Sequence, residues 1–278
     1  GSWNHYHPQW GYITQVTSPD YVAGTAGQRY YLLQGMDARG NSTQTLLGNG
    51  LTVQRGFDPV SNRLQGIDTS LIPGLGSVQN LQLGWLANGN LAWRQDFSGE
   101  PGSQKDLRED FNYDSLNRLT AVTLTSASGI TGTSVSYSSS GNILSKTGVG
   151  NYRYGAQCGV AYGPHAVCET GSGAGITSYH YDANGNLLSD TRGRTLQYSV
   201  FNKPLTIQKG GHSAQFRYGP QRSRWKRIDD DGTSTTETLY LGNVEKVYKN
   251  GTTEIRRNIA GFVLTTDKYD TDMRQWQA

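Results

Sequence analysis

The sequence has little of three features: helical periodicity, long apolar runs and cysteine. No window of 11 residues keeps the 3.6-residue apolar period of a helix without interruption by Gly or Asn, and residues 104–111 are the best candidate for one helical turn. No apolar run approaches the roughly 18 residues of a transmembrane helix, and no signal peptide is recognisable. Two cysteines, Cys158 and Cys168, are too few for a disulfide framework, and the sequence leaves open whether they are bonded.

Glycine and tyrosine are abundant instead. The chain has 36 Gly among 278 residues, together with 17 Tyr and 6 Trp, whereas a usual Gly share is about 7%. Frequent turns, combined with rings that have an apolar body and a polar tip, favour short strands with solvent on at least one face. The aromatic content argues against disorder.

The formal net charge of +3 is unevenly distributed. Residues 203–257 contain 11 Lys or Arg and 6 Asp or Glu, a local excess of five positive charges. A solvated sheet face is the simplest interpretation of this segment, and contact with an acidic cargo or with nucleic acid is the alternative. We expect no specific nucleic-acid partner.

A short motif recurs along the chain at intervals of 17 to 44 residues. Its best copies are Tyr-Asp-Ala-Asn-Gly-Asn-Leu at 181–187 and Tyr-Asp-Ser-Leu-Asn-Arg-Leu at 113–119. Looser copies begin at residues 36, 57, 85, 137 and 198, and worn copies are expected near Tyr154-Gly155 and at Tyr218-Gly219. Most intervals fit a strand–turn–strand unit. The sequence therefore predicts one continuous all-β array of hairpins over residues 1–278, in which 1–35 is the least regular part and Gly1-Ser2 is typical of a cloning remnant.

Each motif position has a mechanical interpretation. Asp182 is expected to begin a tight turn by accepting a hydrogen bond from the backbone two residues on, and Gly185 to supply the positive φ that hairpin turns require. Tyr181 ends the preceding strand with its hydroxyl directed to water, and Leu187 begins the next strand. The motif residues to which we assign a structural role are Asp37, Asp58, Tyr113, Asp114, Tyr137, Tyr181, Asp182, Gly185, Asn186, Leu187 and Tyr198.

The Tyr-Asp-x-x-Gly-Asn-Leu motif resembles the YD repeat of bacterial Rhs proteins, of insecticidal Tc-toxin shell subunits and of teneurins. Further similar stretches occupy residues 47–64, 162–167, 198–207 and 238–247. The resemblance implies a curved antiparallel sheet that coils into part of a hollow shell around a toxin domain. The family's Asp-His-Leu-Gly-Ser and Asp-Pro-x-Gly motifs, its aspartyl self-cleavage and its variable toxin are not found here, so we expect neither protease nor toxin activity in this chain.

The resemblance also implies partners and a location. The expected partners are the remaining repeats and the C-terminal toxin of a parent protein, with a secretion-system component as a further candidate. The parent is expected to be secreted or delivered by a bacterial secretion system.

Three residue groups invite a metal-binding interpretation. Cys158, His165 and Cys168 do not have a standard zinc spacing, and a loop pair of thiols is the simpler interpretation. The remaining groups are the His5-x-His7 pair near the chain end and the acidic run 229–231, which does not alternate as a calcium loop does. We therefore predict no metal site and no cofactor.

The repeated aspartates could be read as glycosidase carboxylates. Hydrolysis needs two carboxylates at a defined separation, one of them with a raised pKa. Asp58, Asp114 and Asp182 instead recur at one motif position, which favours a role in turns. We predict no catalytic residue and no enzyme.

Two functions of different classes remain. The first is a structural segment of a shell, because stacked repeats bury faces that single repeats cannot. The alternative is a carbohydrate- or surface-binding β module that uses Trp and Tyr rings as stacking platforms. For the isolated chain we expect self-association through unpaired edge strands, with an early edge at residues 30–33.

Overall fold

In a computed structural model, the structure describes residues 2–71, 77–98, 107–259, 261 and 263–270. These residues form 24 strands joined by short turns. The first twelve strands are β1 (Trp3–Tyr6), β2 (Ile13–Thr17), β3 (Arg29–Met36), β4 (Ser42–Leu47), β5 (Thr52–Phe57), β6 (Leu64–Ser70), β7 (Gln79–Trp85), β8 (Leu91–Asp96), β9 (Leu107–Tyr113), β10 (Leu119–Ser126), β11 (Gly129–Tyr137) and β12 (Ile143–Lys146). The others are β13 (Gly150–Tyr154), β14 (Val167–Gly171), β15 (Thr177–Tyr181), β16 (Leu187–Asp190), β17 (Thr195–Tyr198), β18 (Pro204–Lys209), β19 (His212–Tyr218), β20 (Arg224–Asp230), β21 (Thr235–Leu241), β22 (Val244–Lys249), β23 (Thr252–Ile259) and β24 (Val263–Asp270).

Helix is confined, within these ranges, to two short 3-10 turns at Gly155–Cys158 and Gly173–Gly175. No helix of the described residues is long and apolar enough to cross a membrane. The prediction of a helical turn at 104–111 was wrong for residues 107–111, which lie in strand β9. Residues 104–106 fall outside the described ranges. Strand β9 pairs on both sides, with β8 and with β10, and these ladders satisfy its backbone in the extended form.

The chain divides into two compact units, residues 1–135 with 259–263, and residues 136–258 with 264–278. In the first unit each strand from β1 to β10 pairs antiparallel with the next strand in sequence. In the second unit each strand from β12 to β22 does the same. The predicted all-β fold class, an array of antiparallel hairpins, is confirmed, whereas a single array over 1–278 stays a prediction.

Sequential pairing corrects the expected early edge. Strand β3, which contains residues 30–33, is paired on one side with β2 and on the other with β4. Tyr31 is consequently 7% exposed and lies in a small apolar cluster with Val16 and Ile259. The segment was expected to be an edge strand because the residues before it show little of the alternating apolar pattern of a strand. Strand β2 nevertheless pairs with β3, with Gln15 opposite Leu32.

The buried part of each sheet is thin and rich in threonine. The buried apolar side chains include Val53 in the first unit and Phe216 and Val247 in the second. Buried hydroxyl side chains are at least as frequent, at Thr17, Ser18, Thr45, Thr52, Thr69, Ser70, Thr170, Thr177, Thr238 and Thr253. β-Branched threonine suits a pleated surface. Ladder hydrogen bonds and cross-strand pairs therefore hold these sheets together more than a deep apolar core does.

Candidate functional site: the motif turns

The motif turns join the odd-numbered strands from β3 to β19 to the next even-numbered strand. Because the strands are antiparallel and consecutive, the motif turns of one unit all lie at the same end of its strands. We call this row of turns the motif edge, as distinct from an edge strand. In the first unit they are residues 37–41, 58–63, 86–90 and 114–118, and in the second 138–142, 155–166, 182–186, 199–203 and 219–223. The repeated motif thus marks one edge of the sheet and not the opposite one.

An aspartate at the first turn position organises the turn that follows it. The backbone N–H groups of Asn184 and Asn186 donate to Oδ1 of Asp182 at 2.9 and 2.8 Å. The side-chain amide of Asn186 donates to Oδ2 of the same carboxylate at 2.9 Å. One carboxylate therefore satisfies two backbone donors and fixes the side chain four residues on, which explains why the motif has Asn or Arg at that position.

The same arrangement recurs at other aspartates. Asp37 accepts from the N–H groups of Arg39 and Asn41, each at 2.9 Å. Asp114 accepts from the N–H groups of Leu116 and Arg118 at 2.9 Å and pairs with the Arg118 guanidinium at 2.7 Å. The looser copies at 138 and 199 use a serine hydroxyl, which accepts one backbone hydrogen bond four residues on.

Two further aspartates organise turns that differ from the one at Asp182. Asp58 begins a turn with one additional residue, and its carboxylate accepts from the N–H and the hydroxyl of Ser61 at 2.6 and 2.8 Å. Asp190 was missed by the motif search, yet it accepts from the N–H groups of Arg192 and Arg194 at 3.0 and 3.2 Å. It was missed because no aromatic residue precedes it, and its turn joins β16 to β17 at the edge opposite the motif edge.

The next-to-last turn position is left-handed in eight of the nine motif turns and is occupied by Gly, by Asn or, in the turn 219–223, by Arg222 with φ of +59°. Gly occupies it in four turns, where Gly40, Gly89, Gly141 and Gly185 have φ between +82° and +97°. Asn occupies it in three others, where Asn62, Asn117 and Asn202 have φ of +59° or +60°. We call these glycine turns and asparagine turns. The expectation of positive φ at Gly185 is confirmed, at +82°.

Three of the four glycine turns donate side-chain hydrogen bonds to the asparagine turns that follow them. The side-chain amides of Asn184 and Asn186 donate to Oδ1 of Asn202 at 3.2 and 2.9 Å. Asn88 and Asn90 donate to Oδ1 of Asn117 at 2.8 and 3.0 Å. Asn41 donates in the same way to Asn62 at 2.6 Å. Within each unit, consecutive motif turns are therefore linked in pairs, and only the Asn form offers the acceptor.

A second link connects five of the motif aromatics to the previous repeat. The hydroxyl of Tyr113 donates to the carbonyl oxygen of Leu91, and that of Tyr218 to the carbonyl of Pro204. Three further contacts have the same form, with distances of 2.7 to 2.9 Å. The hydroxyl of Tyr181 donates to the carbonyl of Val167, that of Tyr154 to the carbonyl of Ile143, and the indole N–H of Trp85 to the carbonyl of Leu64. Each acceptor is the first residue of the strand directly preceding that of the aromatic. We call these links aromatic staples.

The aromatic staples correct one sequence interpretation. The Tyr181 hydroxyl was expected to reach water, but it donates to a backbone carbonyl inside the protein. A β-bulge lies opposite the ring: the pairing shifts register between His180 and Tyr181, and Leu188 on β16 is the extra residue. The same shift precedes Phe57, Trp85, Tyr154, Tyr198 and Tyr218. A bulge bends and twists a strand pair locally and so re-aims nearby side chains, and no residue pattern in the sequence predicts it.

The remaining predicted residues lie where the motif places them. Tyr113, Tyr137, Tyr181 and Tyr198 each end an odd-numbered strand, and Leu187 begins β16. The ring hydroxyl of Tyr198 has no acceptor among the described residues, although burial raises its pKa. Burial likewise raises the pKa of the hydroxyls of Tyr154, Tyr181 and Tyr218.

Hydrogen bonds lower the pKa values of the motif carboxylates. The side-chain amide of Asn186, followed by its backbone N–H, lowers the pKa of Asp182. Asn41 has the same effect on Asp37, and the Arg118 backbone N–H lowers the pKa of Asp114. These carboxylates are held ionised as hydrogen-bond acceptors, which differs from the raised pKa that a general acid needs.

One motif turn is enlarged. Where other turns have five or six residues, residues 155–166 lie between Tyr154 and Val167, and the Gly155 N–H donates to the Ala166 carbonyl at 3.1 Å. A disulfide joins Cys158 to Cys168, with the Cα atoms 6.2 Å apart. The worn copy expected at Tyr154-Gly155 is therefore the start of a turn. The two cysteines, whose pairing the sequence left open, are bonded to each other.

The other candidate groups are occupied by ordinary contacts. His5 Nε2 lies 3.0 Å from the Thr17 hydroxyl, and His165 Nδ1 lies 2.6 Å from Oδ1 of Asn142. Asp231 accepts hydrogen bonds from Thr233 and Ser234, which lower its pKa. Among the described residues, no cluster of three or more His, Cys, Asp or Glu side chains is placed to hold a metal ion.

Comparison with known proteins gives a match in structure but not in sequence. No family model and no curated protein matches the chain. The crystal structure of TcdB2-TccC3-Cdc42 matches 97% of it with a TM-score of 0.72 at 17% identity, and that of TcdB2-TccC3 matches 97% with a TM-score of 0.71 at 15% identity. The chain has the YD-repeat fold of these Tc toxin chains. The fold that the sequence resemblance implied is thereby confirmed.

The matched region is a small part of each Tc toxin chain. The chain covers 15% of the length of the TcdB2-TccC3 chains. The activity and the partners of a whole toxin chain do not follow from a segment of this size.

Proposed function

We propose that the chain is a wall segment of an Rhs-type β-sheet shell that encloses a toxin domain and helps to deliver it. The observation that carries the proposal is the regular motif edge, where the same turn recurs and is linked to its neighbours. Aspartate, the residue that could have served catalysis, is engaged there with backbone N–H groups. The YD-repeat fold over 97% of the chain supports the same assignment.

A wall needs neither a catalytic residue nor a cofactor, so we infer that the chain is not an enzyme. Its partners are then the adjoining repeats and a C-terminal toxin domain of a longer bacterial protein, with a secretion-system component as a further contact. The longer protein would be exported or injected. The basic segment 203–257 belongs to the strands β18–β23 and would offer an acidic cargo a complementary surface.

Limited proteolysis of the longer protein tests the proposal. With the wall intact, the toxin domain should resist a protease that digests the separately expressed toxin. Opening the motif edge, by combining Asp114→Ala with Asp182→Ala, should expose the toxin domain while the sheet remains folded by circular dichroism. Equal digestion of enclosed and isolated toxin would contradict the proposal, as would killing of a host cell by the present chain alone.

A carbohydrate-binding function has one observation in its favour. In the β1–β2 hairpin, Trp3, Tyr6 and Trp10 are 59%, 57% and 71% exposed. The His7 ring stacks on Trp10 and on Tyr12 with centroids 4.5 and 4.9 Å apart. Exposed rings beside uncharged polar groups suit neutral sugars. A glycan array on the chain and on its Trp10→Ala variant separates the two functions, because a wall segment binds no glycan through Trp10.

A further inference from the structure

In the enlarged motif turn at residues 155–166, a disulfide bond takes the place of the aspartate carboxylate that holds the shorter turns together. Its first residue is Gly155, where the motif has Asp, so the side-chain acceptor that organises the shorter turns is missing at this position. The Cys158–Cys168 disulfide connects the 3-10 turn to strand β14. Since a longer loop loses more conformational entropy on closure, a cross-link compensates for the missing carboxylate.

This enlarged turn contacts motif turns on both sides of it. The side-chain amide of Asn142, in the preceding glycine turn, donates to the Pro164 carbonyl at 2.9 Å, and His165 Nδ1 lies 2.6 Å from Oδ1 of the same Asn142. On the other side, the Tyr162 ring meets the Tyr181 ring edge-on with centroids 5.2 Å apart. Residues 155–166 are therefore a link between two neighbouring repeats of the second unit.

The two cysteines differ in accessibility. Cys168 is 3% exposed, whereas Cys158 is only partly buried in the 3-10 turn. A thiolate from solution therefore reaches the sulfur of Cys158 more readily than that of Cys168. The carbonyl oxygen of Gly155 lies 3.9 Å from the Cys168 sulfur, so a free Cys168 thiol would find an acceptor for its proton without moving far.

We propose that Cys158 is a thiol–disulfide exchange site and that the bond it forms is a reducible clamp on the enlarged turn. A thiolate attacks Sγ of Cys158, the bond to Cys168 breaks, and Cys168 leaves as a thiolate that takes up a proton from water. A second reductant thiolate attacks the reductant sulfur of the mixed disulfide, so that Cys158 leaves as a thiolate and takes up a proton from water. Two reductant thiols are oxidised to one disulfide, and the protein gains two electrons and two protons.

Reduction releases the turn and leaves the sheet in place. The ladder between β13 and β14, which includes Tyr152 opposite Thr170, does not involve the sulfur atoms. The contacts of Asn142 and Tyr181 with the enlarged turn depend on its closed form. In a compartment rich in thiols, the clamp would open one link of the motif edge, whereas in an oxidising exterior the link stays closed.

Hydrogen exchange of the whole chain, with and without a dithiol reductant, tests the clamp. The amide of Gly155, bonded to Ala166, and the amide of Ala166, bonded to Gly163, should exchange at least about tenfold faster after reduction. Amides of β18 and β19 serve as an internal reference and should not change. Equal exchange at Gly155 in both states, or a collapse of protection throughout β18–β23, would overturn the proposal of a local clamp.

Two matched single variants test the direction of attack. Cys168→Ser leaves the accessible Cys158 thiol, which should form a mixed disulfide rapidly with an aromatic disulfide reagent. Cys158→Ser leaves the buried Cys168 thiol, which should react at least about tenfold more slowly. The protection of β18–β19 in each variant establishes that it is folded. Equal rates would overturn Cys158 as the site of attack, and two freely alkylated cysteines in protein never exposed to reductant would overturn the clamp itself.

Discussion

The hydroxyl of Tyr181 donates a 2.8 Å hydrogen bond to the carbonyl oxygen of Val167, 14 residues earlier and on the adjacent strand. This contact joins the end of one repeat to the beginning of the preceding one. Its counterparts at Trp85, Tyr113, Tyr154 and Tyr218 have the same direction along the chain. The aromatic residue of the motif thus acts between repeats, while the aspartate acts within one turn.

Removing one staple hydroxyl should cost measurable stability. Tyr181→Phe keeps the ring and its contact with Tyr162 but leaves the Val167 carbonyl without its donor, so we expect a loss of about 1 kcal/mol. Tyr198→Phe is the matched control, because its hydroxyl has no acceptor among the described residues, and it should be nearly neutral. Urea unfolding of the three proteins measures the difference. Equal midpoints for both variants would contradict the assignment of the staple.

A β-branched residue in place of the left-handed Gly185 should destabilise the chain. Gly185 has φ of +82° and open space where a Cβ would lie, so the cost of Gly185→Val is that of the backbone conformation alone, about 1 kcal/mol or more. Gly132→Val is the control, since this strand glycine also has open space but no positive φ. Thermal unfolding should separate the two variants, and an unchanged melting temperature for Gly185→Val would contradict the turn.

Another glycine is required by packing and not by its dihedral angles. Gly84 lies opposite Trp93 in the β7–β8 ladder, and a Cβ on Gly84 would overlap the Trp93 indole. Gly84→Ala should therefore destabilise the chain by about 1–3 kcal/mol, because the indole must leave its position beside the Arg108 guanidinium. Gly56→Ala, in β5 with open space around it, should be nearly neutral. The expectation fails if denaturant unfolding gives both alanine variants the same stability.

The links between turns can be removed without disturbing the turns themselves. Asn202→Gly keeps a residue suited to φ of +59° but removes the oxygen that accepts from Asn184 and Asn186. We expect a loss of roughly 0.5–1.5 kcal/mol and faster hydrogen exchange at residues 182–186. Asn250→Gly, at a left-handed position on the opposite edge, is the control. If both variants lose the same stability, the links contribute nothing specific.

Acid should destabilise the motif turns. Hydrogen bonds lower the pKa of Asp37, Asp114 and Asp182 below the ordinary value of 3.8. The stability that these carboxylates contribute is complete above the unfolded-state pKa and is lost as the pH falls through the lower folded-state pKa. Unfolding free energy measured from pH 6 to pH 2 should therefore begin to decrease near pH 4. Asp182→Asn, which keeps the acceptor oxygen but cannot titrate, should weaken that dependence.

The fold class and the position of most turns were predictable because they depend on local residues. Asp182, Gly185 and Leu187 each act within five residues of one another, and such patterns are visible in any copy. The aromatic staples were not predictable, because Tyr181 finds its acceptor on another strand through a bulge that no residue type marks. The partners of Asn202 and the pairing of Cys158 likewise depend on which turns become neighbours. The Asp190 turn was overlooked because the search required a preceding aromatic residue.

Electron cryo-microscopy of the longer protein tests the central claim, that this chain is a segment of an enclosing wall, most directly. Our account predicts that the sheet continues beyond β1 and beyond β24, that the motif turns stay at one edge of each unit, and that density for a toxin domain fills the enclosed space. A map in which residues 1–278 form a separate domain with uncovered sheet edges and nothing enclosed would contradict it.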